Sequence, residues 1–240
     1  MRTICVIPAR YGSTRLPGKP LKDICGKPMV EWVYIAAQEA KCFDDIVIAT
    51  DSEIISEECK SRGMNVIITR TDHPTAIHRL KEVSMKMKAD YYVQLNGDEP
   101  LIKPETIRKV LVTEDERLTL WGTNIITPIK NPVELMDSSN IKVLFDSDMK
   151  CIYMSRNVVP CPYKTLDFIY YKHVGVIGFT PSMIEFYTSS EPGMLEKIEG
   201  IDLLRFVDYG KTMKLRIVDN CETLSVDTEK DLEEVRRRIC

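Results

Sequence analysis

The chain has no apolar run long enough to span a bilayer, and its first residues lack the apolar core and cleavage site of a secretory signal. A cytoplasmic protein is therefore expected. Its three histidines and eight cysteines include no C-x-x-C pair and no cysteine–histidine grouping at zinc spacing. Cys5, Cys25, Cys42, Cys59, Cys151, Cys161, Cys221 and Cys240 lie scattered along the chain. That scatter predicts small buried hydrophobes, with Cys240 a free tail thiol, in place of a zinc site or disulfide framework. Charge of one sign is also missing. The 33 basic and 36 acidic residues leave a net charge of −3, so nothing draws the whole molecule to nucleic acid, and any cationic site must be local. Two phosphate-binding fingerprints are absent as well. No Gly-Lys-Ser or Gly-Lys-Thr stands at Walker spacing behind a glycine, and Gly12 and Gly18 do not fit G-x-G-x-x-G. There is no internal repeat and no low-complexity segment.

What is present is ordinary for a globular protein, with 44% hydrophobic and 29% charged residues among 240. The length suits one α/β domain with a sizeable excursion. Ile4 to Ile7 reads as a buried strand. A helix to about Ala40 follows, with Val30, Val33, Tyr34 and Ala37 at three- and four-residue steps. Strand 46–50, helix 54–62 behind the N-cap pair Asp51-Ser52, strand 66–69, helix 77–88 and strand 91–95 continue the alternation. That pitch predicts right-handed crossovers and a mainly parallel sheet. Pro104 to Val112 reads as helix and Trp121 to Thr127 as strand. From Pro132 to about Gly178 the pattern turns strand-rich, with extended runs at 141–145 and 152–154 and an irregular stretch from Val158 to Leu166. Helices at 183–187 and 195–209, a strand at 215–218 and a helix at 229–238, capped by Asp227-Thr228, close the chain. The whole is read as a single domain over 1–240, with 132–178 as its excursion.

The densest stretch is Val6-Ile7-Pro8-Ala9-Arg10-Tyr11-Gly12-Ser13-Thr14-Arg15-Leu16-Pro17-Gly18-Lys19-Pro20-Leu21. Arg10, Arg15 and Lys19 fall among two glycines and three prolines directly after the first strand. A solvated basic turn accounts for any one of them. Together, on a loop whose collapse the prolines limit, they point to a polyanion, most simply a triphosphate. Asn96-Gly97-Asp98-Glu99-Pro100 follows another strand, at the edge where ligands bind in such sheets. Asp98 can cap the turn before Pro100 or serve as a hard oxygen ligand for Mg²⁺. Asp227 can cap the last helix, bind metal, or do both, since a carboxylate has two oxygens. Arg70, at the end of the third strand, and Arg79 are further candidate cations, and for Arg79 the sequence alone favours an exposed helix position. His78 carries no catalytic reading.

These stretches resemble the CMP-sugar-acid synthetases, most closely the 3-deoxy-manno-octulosonate (KDO) cytidylyltransferase branch. The resemblance spans nearly the whole chain and is most specific at residues 6–21, 97–100, 155–156, 173–175 and 226–232. It implies a Rossmann-like nucleotidyltransferase fold of the nucleotide-diphospho-sugar transferase type, and a homodimer formed through the strand-rich excursion. It implies CMP transfer from CTP to a KDO-like sugar acid, with Mg²⁺ on Asp98 and Asp227. Pro8, Ala9, Arg10, Ser13, Arg15, Lys19, Arg70, Arg79 and Asp98 would contact the nucleotide, with Arg10, Lys19 and Asp98 catalytic. Asn96, Arg156, His173, Glu199 and Asp202 would contact the acceptor. The chain also departs from the pattern. Thr75-Ala76-Ile77-His78-Arg79 replaces Ser-Gly-Thr-Glu-Arg or Ser-Gly-Thr-Asp-Arg. The branch has glutamine at Asn96, tyrosine near Ile177 and glutamate near Asp202. Another acidic acceptor, such as a phosphonate or a modified ulosonic acid, and a non-catalytic nucleotide-binding protein stand as alternatives.

Overall fold

The computed structural model describes residues 1–13, 15–119, 121–165 and 167–240. Thr14 of the cationic loop and Leu166, at the end of the expected irregular stretch, lie outside the described residues. The chain gathers into two compact units, residues 1–108 with 222–240, and residues 109–221.

The first unit opens with β1 (Thr3–Ala9), the cationic loop, a 3-10 turn (Lys19–Leu21), and a small hairpin of β2 (Asp23–Ile24) and β3 (Lys27–Pro28). It continues as α1 (Met29–Ala40), β4 (Asp45–Thr50), α2 (Glu53–Ser61), β5 (Val66–Ile68), α3 (Ala76–Lys86), β6 (Tyr91–Leu95) and α4 (Pro104–Arg108). β1 pairs in parallel with β4 on one side and β6 on the other, and β5 extends the sheet beyond β4. Ile4, Cys5, Val6 and Ile7 are at most 1% exposed, which explains why β1 reads as an unbroken apolar run and not as an alternation. Val30, Val33, Tyr34 and Ala37 form the buried stripe of α1, as their spacing predicts. Ser52 caps α2 and accepts from the Ile55 amide at 3.4 Å. Because the sheet is parallel here, β1 and β6 release the cationic loop and Asn96–Pro100 at the same edge.

The second unit comprises α5 (Glu114–Thr119), β7 (Gly122–Pro128), α6 (Pro132–Met136), β8 (Lys142–Phe145), β9 (Cys151–Ser155) and β10 (Tyr171–Phe179). It ends with α7 (Pro181–Ser189), α8 (Met194–Glu199), α9 (Leu204–Asp208) and β11 (Met213–Ile217). β7 runs antiparallel to β10 and parallel to β11, while the two runs expected to be extended form β8 and β9, which pair antiparallel. Two stretches depart from their pattern: Pro132–Met136, in the segment expected to be strand-rich, is helical, and residues 195–209 do not form one helix. The apolar spacing predicts a single helix over 195–209, but the backbone turns left-handed at Gly200 (φ 62°), and two short helices result. A buried ion pair holds them. Arg205 grips Glu196 with two bonds of 2.6 and 2.7 Å and donates to the carbonyls of Tyr187 and Ser190 at 2.8 Å. Such a pair is sound only because its remaining donors are also satisfied.

The chain then returns to the first unit as α10 (Glu229–Ile239). Val226, Leu232 and Val235 bury themselves against Leu16 of the cationic loop, Ile24 of the hairpin and Met29 of α1. Arg236 donates to the Asp23 carbonyl at 2.7 and 2.9 Å. Cys240 is not the free thiol expected from the scatter. It is joined to Cys25 in a disulfide with a Cα–Cα distance of 5.9 Å, bridging residues 215 apart in sequence. No local motif announced it, because the pairing depends on two residues 215 positions apart meeting in space. The bond closes nearly the whole polypeptide, so Cys240→Ser should lower unfolding free energy by about 2–4 kcal/mol. Urea denaturation with and without reductant tests this; a variant as stable as the oxidised parent would count against the bridge.

Candidate active site

The cationic loop is anchored, not splayed. The Tyr11 carbonyl accepts from the amides of Ser13 and Gly18 at 2.9 and 3.1 Å, and Ser13 Oγ accepts from the Leu16 amide at 3.3 Å. Leu16, 3% exposed, sinks into the cluster beneath α10. Between these fixings Arg10 and Arg15 stay exposed, and Lys19 starts the 3-10 turn. Pro8 and Ala9 end β1.

Across from the loop, Gly97 permits a close approach of two strand ends. A Cβ there would stand 3.0 Å from the Pro8 carbonyl oxygen and 3.3 Å from Ile7 Cγ2. Asp98 follows, and its carbonyl accepts from the Val226 amide at 2.9 Å. That bond ties the stretch before α10 to the end of β6. Thr228 is the residue that caps α10, in a capping box with Asp231. Asp227 was expected to share the cap; its side chain is instead directed elsewhere.

Lys19 Nζ lies 2.7 Å from Asp98 Oδ2 and 3.2 Å from Asp227 Oδ1, with only 15% of its side chain exposed. Arg15 reaches the same Asp227 oxygen at 3.1 Å. Residues 79 and 208 positions from Lys19 thus meet on one ammonium. Burial works to lower the Lys19 pKa, but Asp98 first and then Asp227 outweigh it and raise it, so the side chain is firmly cationic. Arg70 and Arg79 make their contacts elsewhere. Arg70 is exposed and pairs with Asp72. Arg79 is 5% exposed and donates to Asp51 at 2.7 Å and to Thr69, tying α3 to β4 and the end of β5. Asn96 Oδ1 accepts from Gln94 Nε2 at 3.1 Å.

The candidates of the second unit sit on a polar scaffold of their own. Glu199 accepts from Tyr153 Oη at 2.9 Å, Ser155 Oγ at 2.7 Å and the Arg156 amide at 2.9 Å. Burial favours its neutral form, but these donors and the Arg156 charge prevail, so its pKa is lowered and it stays ionised. The Arg156 guanidinium donates to the carbonyls of Glu199, Ser138 and Gly200 at 2.9, 3.1 and 3.3 Å, and the residue remains exposed. Beneath it Lys142, fully buried, donates to the carbonyls of Asp137, Asn140 and Arg156 at 3.0, 2.7 and 2.6 Å. Asp202 has its pKa raised to about 6, mainly by burial and then by the charge of Glu196.

His173 Nδ1 lies 2.8 Å from Asn124 Oδ1. Asn124 uses its amide nitrogen on the carbonyls of Val174 and Val176 at 2.9 and 3.1 Å, so its oxygen must accept. His173 therefore carries its proton on Nδ1 and keeps a lone pair on Nε2. Burial lowers its pKa to about 4. Asn124 and Lys142 escaped the sequence reading, although a carboxamide inside the apolar run of β7 and a lysine inside that of β8 were visible signals.

Comparison with known proteins identifies the family. The family model for cytidylyltransferases matches residues 4–215. A 3-deoxy-manno-octulosonate cytidylyltransferase of Fusobacterium nucleatum is 36% identical over 98% of this chain and 96% of its own. An 8-amino-3,8-dideoxy-manno-octulosonate cytidylyltransferase of Shewanella oneidensis is 35% identical over 100% of this chain and 99% of its own. Among solved structures, CMP:2-keto-3-deoxy-manno-octonic acid synthetase complexed with CTP superposes with a TM-score of 0.93 at 33% identity, covering 100% of this chain and 98% of the other. The fold, the signature loop and these relatives together show that the chain belongs to the cytidylyltransferase family.

Proposed function

We propose that the protein transfers CMP from CTP to a KDO-like sugar acid and releases pyrophosphate. The observation that carries this reading is the meeting of Lys19, Arg15, Asp98 and Asp227 on a loop of the family's pattern. An acceptor oxygen attacks the α-phosphorus in line; its bond to phosphorus forms as the bond to the pyrophosphate oxygen breaks. Such a transfer needs positioning and charge neutralisation more than a covalent nucleophile. Arg10, Arg15 and Lys19 are assigned to the β- and γ-phosphates, where they neutralise departing pyrophosphate. Pro8, Ala9 and Ser13 line the same loop, and Arg70 and Arg79, which pair with Asp72 and Asp51, are assigned to further contacts with the nucleotide. Asp98 and Asp227 fit Mg²⁺, because both are hard oxygen donors and both already converge on one cation. When bound, the ion polarises the α-phosphate. A reaction that consumes CTP belongs in the cytoplasm.

For the acceptor, the exposed Arg156, with N–H groups beyond the three used on carbonyls, suits a carboxylate, and His173 Nε2 suits a hydroxyl donor. Glu199 acts by holding Arg156, and Asn96 and Asp202 are assigned to further acceptor hydroxyls. Full-length likeness to the Shewanella protein favours a second acceptor, an 8-amino analogue of KDO. Pairing of two copies is part of the proposal, since Tyr163, Phe168 and Ile169 of the strand-rich segment stand exposed; light scattering measures it.

With Mg·CTP, pyrophosphate release should appear with KDO or its 8-amino analogue, and Asp98→Ala should cut it about 10³-fold without unfolding the chain. CTP binding with no pyrophosphate from either acid or from a phosphonate would overturn the enzyme reading. His173 gives a pH test. Its folded pKa of about 4 lies below the ordinary 6.5, so between these values the unfolded chain binds a proton that the folded chain refuses. Stability is therefore lost as pH falls through that window. His173→Gln should flatten this part of the stability profile and raise the acceptor KM while leaving the CTP KM in place. An unchanged slope in urea melts at pH 7 and pH 5 would refute the assignment.

A further inference from the structure

Two carboxylates on stretches far apart in the chain are directed at the same point, and the group between them is a lysine. Without it, Asp98 and Asp227 would face each other with like charges in a partly enclosed place, which costs free energy. Lys19 Nζ, at 2.7 and 3.2 Å, removes that repulsion. Its backbone is pinned: the amide donates to the Leu16 carbonyl at 3.1 Å, and the next residue, Pro20, is buried. Its four-carbon stem carries several rotatable bonds, so a change of rotamer can carry the ammonium off the carboxylates while the main chain stays still. The same side chain is also the cation the proposed reading gives to the polyphosphate.

We infer that Lys19 is a stand-in for the divalent ion: its ammonium keeps Asp98 and Asp227 converged and blocks a bare metal ion until a polyphosphate draws it away. The inference rests on Asp98 and Asp227 as the metal ligands of the proposed function. Lys19 can neutralise either the carboxylates or the phosphates. A metal ion arriving alone must displace it and leave it without a partner. An ion arriving with the nucleotide displaces it onto the incoming phosphates. Metal and nucleotide are thereby coupled through one side chain, and the coupling is reciprocal. The consequence is selection of the metal–nucleotide complex over free metal, with the pair of ligands held in readiness in the meantime. Arg15, on the same Asp227 oxygen but 64% exposed, is the weaker partner in this exchange.

The test uses Mn²⁺ alone, with no nucleotide, followed by electron paramagnetic resonance of the free ion on the full chain. Lys19→Gln should bind Mn²⁺ at least about tenfold tighter than the parent, because its neutral amide no longer competes for the carboxylates. Lys19→Met, neutral and of similar length, is measured beside it, so that a folding defect in one variant leaves the comparison standing. Adding Asp98→Asn to Lys19→Gln should erase the gain. Equal or weaker Mn²⁺ binding by the folded neutral variants overturns the stand-in role and leaves the transferase reading intact, since that reading is judged by pyrophosphate release. A gain that survives Asp98→Asn places the ion elsewhere and overturns both the inference and the metal assignment.

Discussion

One backbone hydrogen bond joins the two stretches that carry the carboxylates of this site. The Val226 amide donates to the Asp98 carbonyl at 2.9 Å, and by doing so it sets Asp227 beside Asp98. Everything around that bond serves to keep it. Val226 is fully buried with Leu232 and Val235 against Leu16, Ile24 and Met29, each such side chain contributing about 1.5–3 kcal/mol by leaving water. The same burial anchors the cationic loop through Leu16, so the cations and the carboxylates are positioned by one patch of apolar packing. Removing Leu16 from that patch would loosen both at once.

The second unit solves a comparable problem with polar groups. Lys142 is enclosed completely yet leaves no donor wasted, since three carbonyls receive it. Glu199 is enclosed by three donors in the same manner. Networks of this kind rigidify when every member is satisfied and fail when one is not. Arg156 stands on both, which fixes its guanidinium without consuming all of its hydrogen-bond capacity. His173 is fixed by Asn124 through the same logic, with the tautomer dictated by what Asn124 must accept.

Much of this was legible beforehand, and the reasons differ by element. β1 and α1 announced themselves because burial on both faces, or along one stripe, writes directly into residue order. The cationic loop and Asn96–Pro100 stood out because each follows a strand end with glycine and ionisable residues together. The double helix at 194–208 did not, because apolar spacing continues across Gly200 and only the backbone torsion interrupts it. Asp227 was recognised but given a share in a cap that Thr228 performs alone. The Cys25–Cys240 bond and the roles of Lys142 and Asn124 depend on partners distant in sequence, which periodicity cannot see.

The first unit is built from two separate lengths of chain, residues 1–108 and 222–240, with the second unit made in between. During synthesis the loop, Lys19 and Asp98 leave the ribosome long before Asp227 does. A polypeptide released early would display the cations and one carboxylate but lack the amide of Val226, the cap at Thr228 and the helix that covers Leu16. The convergence of the two carboxylates and the packing over Leu16 are thus completed only by residues 222–240, which follow the second unit in the chain.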